Sequence, residues 1–195
     1  VQAGREWLLQ RDKQVPWQEL ATVRVAGQLQ IEAGLGGGAG AAWLVCEQKR
    51  ITECPFAGST LAELAQEYGA ALLGTRPFAR GGTDFPLLAK FIDAADHLSV
   101  QVHPDDAYAH TVEAHTGFHG KTEAWYILRA APNAELIHGL ARPSNRTAFA
   151  DAVQNGTVMK IVRRIPTQAG DTFFVPAGTI HAINAGIMLF EIQQK

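Results

Sequence analysis

At 195 residues the chain has room for one well-packed domain, and a hydrophobic share of 47% fits a globular protein rather than a disordered one. A net charge of −2 and an isoelectric point near 6.4 supply no basic field for a polyanion, which argues against nucleic acid as a partner. No apolar run approaches the ~18–20 residues that span a bilayer. Val1 to Gln10 lack the basic-then-apolar layout of a secretion signal, so the expectation is a cytoplasmic protein with Cys46 and Cys54 reduced and buried.

Taken in chain order, Gly34–Gly40 reads as a flexible loop; with no strand before it and no Lys-Ser/Thr after it, it is a poor phosphate cradle. Ala42–Cys46 reads as a strand. Ser59–Tyr68 reads as a helix, with Ser59 or Thr60 as N-cap, Glu63 as capping-box partner and Gly69 as its stop. Leu98–Val102 follows as a strand and Asp105–Glu113 as a helix, Pro104 and the two aspartates marking its start. Beyond it come strands at Ala124–Leu128, Glu135–Gly139, Val158–Ile165, Thr172–Val175 and Ile187–Ile192, and a helix at Ser144–Val153. Turn formers such as Gly120, Pro132–Asn133, Asn155–Gly156, Ala169–Gly170 and Ala185–Gly186 separate several of them. Short strands at this spacing predict a mainly β sandwich or barrel rather than a βαβ repeat. The whole chain, 1–195, reads as a single domain, with 1–54 as a divergent N-terminal part.

Three segments carry chemistry. In Ser99-Val100-Gln101-Val102-His103-Pro104, strand alternation places Gln101 and His103 on one face. That is half a metal ligand set, although a hydrogen-bonded core histidine has the same look. In Gly120-Lys121-Thr122-Glu123-Ala124-Trp125, a strand starting at Lys121 puts Lys121, Glu123 and Trp125 on one face. A solvated face is the plain reading, but the apolar neighbours argue for burial, and a buried carboxylate is costly without a compensating cation. A metal on Glu123 would provide that charge and leave Lys121 for an anionic substrate. In the third segment a Pro176-Ala177-Gly178 turn fixes the direction of His181 as it enters the next strand. Two imidazoles, a carboxylate and an amide oxygen suit a borderline divalent ion: zinc first, with manganese, iron or cobalt as substitutes. The other histidines have plainer readings. His110, His115 and His119 form a solvated loop rather than a surface metal patch, His97 and His138 are structural or exposed, and Asp105 and Asp106 are helix-start charges rather than ligands. Trp125 and Tyr126 either line the pocket or pack the core.

Gly170, Pro176, Gly178 and His181 in step resemble the second signature of the cupin superfamily, with Asn184 one residue early. Phe85–Asp93, Leu98–Asp106, Gly120–Ile127, Val175–Ala182 and Glu191–Gln194 together resemble type I mannose-6-phosphate isomerase. That resemblance implies a cupin-like jelly-roll barrel with one zinc per chain held by Gln101, His103, Glu123 and His181. It also implies substrate-facing, catalytic roles for Lys90, Lys121 and Glu191, and interconversion of mannose 6-phosphate and fructose 6-phosphate. The partner it implies is a small sugar phosphate, with no nucleic acid and no membrane. The family's N-terminal Trp-Gly-Gly and Gly-Glu-x-Trp segments survive only as Gly36-Gly37-Gly38 and Ala41-Ala42-Trp43. The chain reaches Lys195 ahead of the family's arginine-bearing C-terminal stretch. Two expectations follow: an isomerase, or a metal-binding cupin module that holds a sugar phosphate without turnover. A cupin of other chemistry, such as an oxygenase, fits Lys90 and Lys121 less well.

Overall fold

The computed structural model describes residues 31–33, 39–48, 50–52 and 55–195. Of the stretch expected as a loop, Gly34–Gly40, Ala39 and Gly40 instead open a strand that runs to Val45, and Ile31–Ala33 just ahead of it is a strand as well. Residues 34–38, Cys54 and most of the region 1–54 lie outside the described residues, whereas Cys46 is buried as a free thiol. Among the described residues the strands are β1 (Ile31–Ala33), β2 (Ala39–Val45), β3 (Leu87–Ala94), β4 (Glu123–Ala130), β5 (Glu135–Leu140), β6 (Val162–Pro166), β7 (Thr172–Val175), β8 (His181–Ile183) and β9 (Ile187–Gln194). The helices are α1 (Leu61–Tyr68), α2 (Ala70–Leu73), α3 (Thr75–Gly81), α4 (Asp106–Thr111) and α5 (Arg146–Gln154). None of the helices among the described residues is long and apolar enough to cross a membrane.

The chain divides into two units, 1–29 with 43–89, and 30–42 with 90–195. In the first, α1 begins at a complete capping box. The Thr60 hydroxyl accepts the Glu63 N–H at 3.1 Å and the Glu63 carboxylate accepts the Thr60 N–H at 2.7 Å, which decides for Thr60 over Ser59. The buried face of α1, Leu61 and Leu64, packs with Ile51 against Phe56, Tyr68, Leu72 and Phe85. The short helices α2 and α3 were not foreseen. Both start at glycines, and Pro77 is the third residue of α3, where a missing N–H breaks no intrahelical bond.

The second unit is β throughout its core. One sheet has the order β1-β2-β3-β9-β4-β7 and the other β6-β5-β8, with antiparallel registers along β1/β2, β4/β7, β4/β9, β5/β6 and β5/β8. Alternation explains the packing. Glu123, Trp125 and Ile127 of β4 point inward, opposite Gln193, Glu191 and Leu189 of β9. Residues from both sheets share one core of Ile92, Trp125, Ile127, Leu136, Val175, Ile183, Ile187 and Leu189. The mainly β, two-sheet antiparallel architecture expected from the sequence is present.

Four local expectations change. Residues 158–160 form a 3₁₀ turn, and β6 begins only at Val162. The Lys160 N–H bonds Thr157 O at 2.9 Å and the Ile161 N–H bonds Val158 O at 3.0 Å, so local turns replace a ladder. Leu98–Val102 is not a strand: it meets β8 through the Gln101–His181 bridge and a Leu98 N–H bond to Ile183 O at 2.9 Å. The strand carrying Glu123 starts at Glu123 itself, not at Lys121. Leu87–Ala94, quoted above only as part of a motif, is a full strand whose burial does not alternate.

Candidate metal centre

Backbone bonds fasten three chain segments together before any side chain is considered. The Gln101 and His181 main chains exchange hydrogen bonds at 2.9 Å in each direction, and the Gly178 N–H donates to His103 O at 2.7 Å. Gly178 holds φ +82° at the tip of the Pro176–Thr179 turn, a conformation that glycine adopts without strain. The Lys121 N–H donates to Pro104 O at 3.0 Å. The sequence motifs around His103, Lys121 and His181 are thereby brought to one end of the interior, beside Glu123 at the head of β4.

The side chains converge on the Glu123 carboxylate, which is almost fully buried. Its Oε1 lies 2.5 Å from Lys121 Nζ and 3.4 Å from His103 Nε2. Its Oε2 lies 3.7 Å from His181 Nε2 and accepts the Trp125 indole N–H at 3.0 Å. Ligand atoms of His103, Glu123 and His181 all fall within 4.8 Å of one another. Gln101 lines the same cavity, of about 110 Å³, with Lys90, Lys121, Trp125 and Glu191. Its amide nitrogen donates to Ser99 Oγ at 3.1 Å.

The protonation pattern fits a metal. His181 Nδ1 sits 2.8 Å from Thr179 O, which accepts its proton and leaves a lone pair on the Nε2 that faces Glu123. His103 Nε2 sits 3.1 Å from Lys121 Nζ and 3.4 Å from Glu123 Oε1, between an ammonium and a carboxylate. Burial pushes His181 below the usual imidazole range, against the pull of Thr179 O and Glu123, and so keeps the ring neutral. Burial alone would raise Glu123. The contact with His103, the Lys121 charge and then His181 overcome it and hold the carboxyl at about 2. Two imidazole nitrogens and an ionised carboxylate make a donor set for a borderline divalent cation. The Lys121 ammonium already bridges two of these atoms, marking where positive charge is stabilised.

That low value has a measurable consequence. A carboxyl ionising at about 2 when folded, against an ordinary 4.5, stabilises the fold fully above pH 4.5, and the contribution disappears as pH falls toward 2. In metal-free protein, Glu123→Gln should lose less stability between pH 4.5 and pH 2.5 than the parent, read by urea denaturation. Parallel acid limbs would contradict the electrostatic picture.

Lys90 and Glu191 form a second ion pair at 2.8 Å, both facing the cavity. Burial is the largest influence on Glu191 and raises its carboxyl above the usual range, with the Lys90 charge opposing. Lys90 is engaged with Glu191, and Lys121 with Glu123 and His103; the sequence reading leaves Lys121 for substrate only with a metal on Glu123. Trp125 serves both expected roles, core and cavity wall, whereas Tyr126 takes neither, because alternation turns it to the outer face. His97 and His115 are exposed, and His138 Nε2 contacts Phe174 O at 3.0 Å. Asp105 caps α4 by accepting the Tyr108 N–H at 2.8 Å. Two participants escaped sequence reading. Thr179 acts through its carbonyl, which no residue identity reveals. Gln193 is buried opposite Glu123 with its Oε1 lacking a hydrogen-bond partner among the described residues, and inward alternation along β9 could have found it.

Residues 42–153 match the family model for the catalytic domain of phosphomannose isomerase type I. The chain belongs to the type I phosphomannose isomerase family. The matched span contains Lys90, Gln101, His103, Lys121 and Glu123, while His181 and Glu191 lie beyond it. A mannose-6-phosphate isomerase of Streptococcus mutans is 48% identical over 111 residues, covering 57% of this chain and 34% of the relative. A crystal structure of mannose 6-phosphate isomerase from Bacillus subtilis superposes with a TM-score of 0.68 at 35% identity, covering 79% of this chain and 48% of that one. A zinc-bound holo mannose 6-phosphate isomerase shares the fold, with a TM-score of 0.55 at 15% identity, covering 79% of this chain and 59% of that one. The cupin-like jelly-roll expectation holds. The chain spans less than half the length of the Streptococcus and Bacillus relatives.

Proposed function

We propose that this chain carries the metal-dependent aldose–ketose isomerase site of its family and acts on mannose 6-phosphate and fructose 6-phosphate. The carrying observation is the buried Glu123 carboxylate set between the His103 and His181 imidazoles, facing one cavity with the Lys90–Glu191 pair. In this reading Gln101, His103, Glu123 and His181 hold one zinc ion. When bound, zinc supplies Lewis-acid stabilisation to the charge that develops on the sugar oxygens.

The remaining work falls to the chain's own groups. Isomerisation removes a proton from C2 and delivers one to C1 by way of an enediol, so a group able both to take and to give a proton is needed. Glu191, raised by burial and set beside Lys90, suits that task, since its carboxyl is closer to the working pH than an exposed glutamate's. Lys121, held beside Glu123, acts as a fixed donor to a substrate oxygen rather than as the base. The cavity is well below the ~300–1,000 Å³ usual for whole small-molecule sites. It takes the C1–C2 end of the sugar, with the phosphate outside.

A coupled assay for fructose 6-phosphate formation tests this with the zinc-loaded chain. Glu191→Gln is expected to lower kcat by ~10²–10⁴-fold while metal content stays unchanged. Zinc bound without turnover, in this chain and in the full-length gene product, would instead establish the non-catalytic metal-binding module.

A further inference from the structure

A second group of ligand-capable side chains lies outside the centre described above. Asp106, His110 and His119 place ligand atoms within 4.8 Å of one another. Asp106 and His110 are four apart on α4 and so share a face. His119 comes from the loop that leads into Lys121. Its Nδ1 lies 2.7 Å from His110 Nε2, with the rings nearly perpendicular at 82°.

Two features give this group a fixed frame. Asp106 Oδ1 accepts the Gly120 N–H at 3.0 Å and the Gln194 side-chain N–H at 2.6 Å, which sets the plane of the carboxylate. Gly120 also approaches the start of α4 so closely that a Cβ there would meet Asp105 C and Asp106 N at 2.4 Å. The residue after His119 is thus wedged against the residue that supplies the carboxylate, and the spacing between the donors is set by backbone packing.

We infer that Asp106, His110 and His119 form a second, weaker site for a borderline divalent transition metal such as zinc, nickel or copper. Two imidazole nitrogens with one carboxylate favour these ions over magnesium or calcium, which take oxygen donors. At present the two rings share a hydrogen bond. One inner nitrogen is already a lone pair as the acceptor of that bond, and moving the donor ring's proton to its outer nitrogen makes the other a lone pair with no net change of charge. Zinc–nitrogen bonds of ~2.0–2.1 Å put tetrahedral ligands ~3.3–3.4 Å apart, so exposed His110 needs to swing outward by less than an ångström. The bound ion would clasp α4 to the 117–121 loop, and hence to Lys121, while remaining separate from the donor set on Glu123.

The test is a zinc titration of the metal-stripped chain by calorimetry, with cobalt absorption as a second readout. The parent is expected to bind two equivalents, the second at least tenfold more weakly. His110→Ala, a surface change that favours the helix, should lose only the weaker equivalent. Glu123→Gln should lose only the tighter. A single equivalent in the parent would overturn the inference, and so would a second equivalent that survives His110→Ala. Should either variant fail to fold, crystals of the parent soaked in zinc give the same decision through the presence or absence of an anomalous peak between His110 and His119.

Discussion

Glu123→Gln is expected to weaken metal binding at the main centre by at least ~10²-fold, since even groups that only support a ligand are worth ~10–100-fold. Turnover of the phosphosugar should fall by at least ~10²–10³-fold, the usual loss when one charge-stabilising contact at the reacting centre is removed. The substitution keeps size and shape and removes one charge. What it breaks is the pairing on which the site is built: Lys121 at 2.5 Å loses its counterion, His103 at 3.4 Å loses the carboxylate beside it, and the Trp125 N–H keeps only a neutral acceptor. Elemental analysis beside the coupled assay measures both effects. Full metal content in the variant would show that Glu123 is a pairing partner of Lys121 and not a ligand.

Trp125→Ala should have the largest effect on stability, on the order of 3–5 kcal/mol. The indole is 1% exposed and stands at the centre of the shared core, between Ile92, Ile127, Val175 and Leu189. It also stacks edge-on against His181 with ring centroids 5.4 Å apart and donates to Glu123. Truncation therefore opens a cavity and takes a charge-assisted hydrogen bond from a buried carboxylate at once. Trp125→Phe separates the two losses. It retains most of the apolar volume and should cost about 1.5–3 kcal/mol, the range for hydrogen bonds to charged groups. Urea denaturation of the metal-free chain reads both variants, and a loss under 1 kcal/mol in Trp125→Ala would contradict the packing account.

The strands that bear the site were legible wherever alternation or a turn marked them. Thr172–Val175 and the start of Ile187–Gln194 follow from the glycine turns before them, and the Pro176–Gly178 turn announced His181. The inward set Glu123, Trp125 and Ile127 follows from a period of two. Legibility failed where the partner, not the local residues, decides structure. Leu98–Val102 has strand composition, yet it meets β8 through the Gln101–His181 bridge and the Leu98–Ile183 bond rather than along a ladder. Val158-Met159-Lys160 has β-forming residues, but Thr157 and Val158 carbonyls capture the next donors in a tight turn. Charge was the other blind spot. The ion pairs of Lys90 and Lys121 were not legible, because no sequence pattern shows that Lys90 reaches Glu191 or that Glu123 folds back onto Lys121. His110 and His119 read as a solvated loop because nine residues separate them, and only the close approach of Gly120 to α4 joins them.

Anomalous diffraction at the zinc edge tests the central claim most directly, using crystals of the chain grown after zinc loading and dialysis to remove weakly held metal. The expected result is a peak lying between His103 Nε2, Glu123 and His181 Nε2, within reach of Gln101, with Lys121 Nζ displaced from its position beside Glu123. A zinc-loaded crystal with no peak there, and with Lys121 still bridging Glu123 and His103, would contradict it.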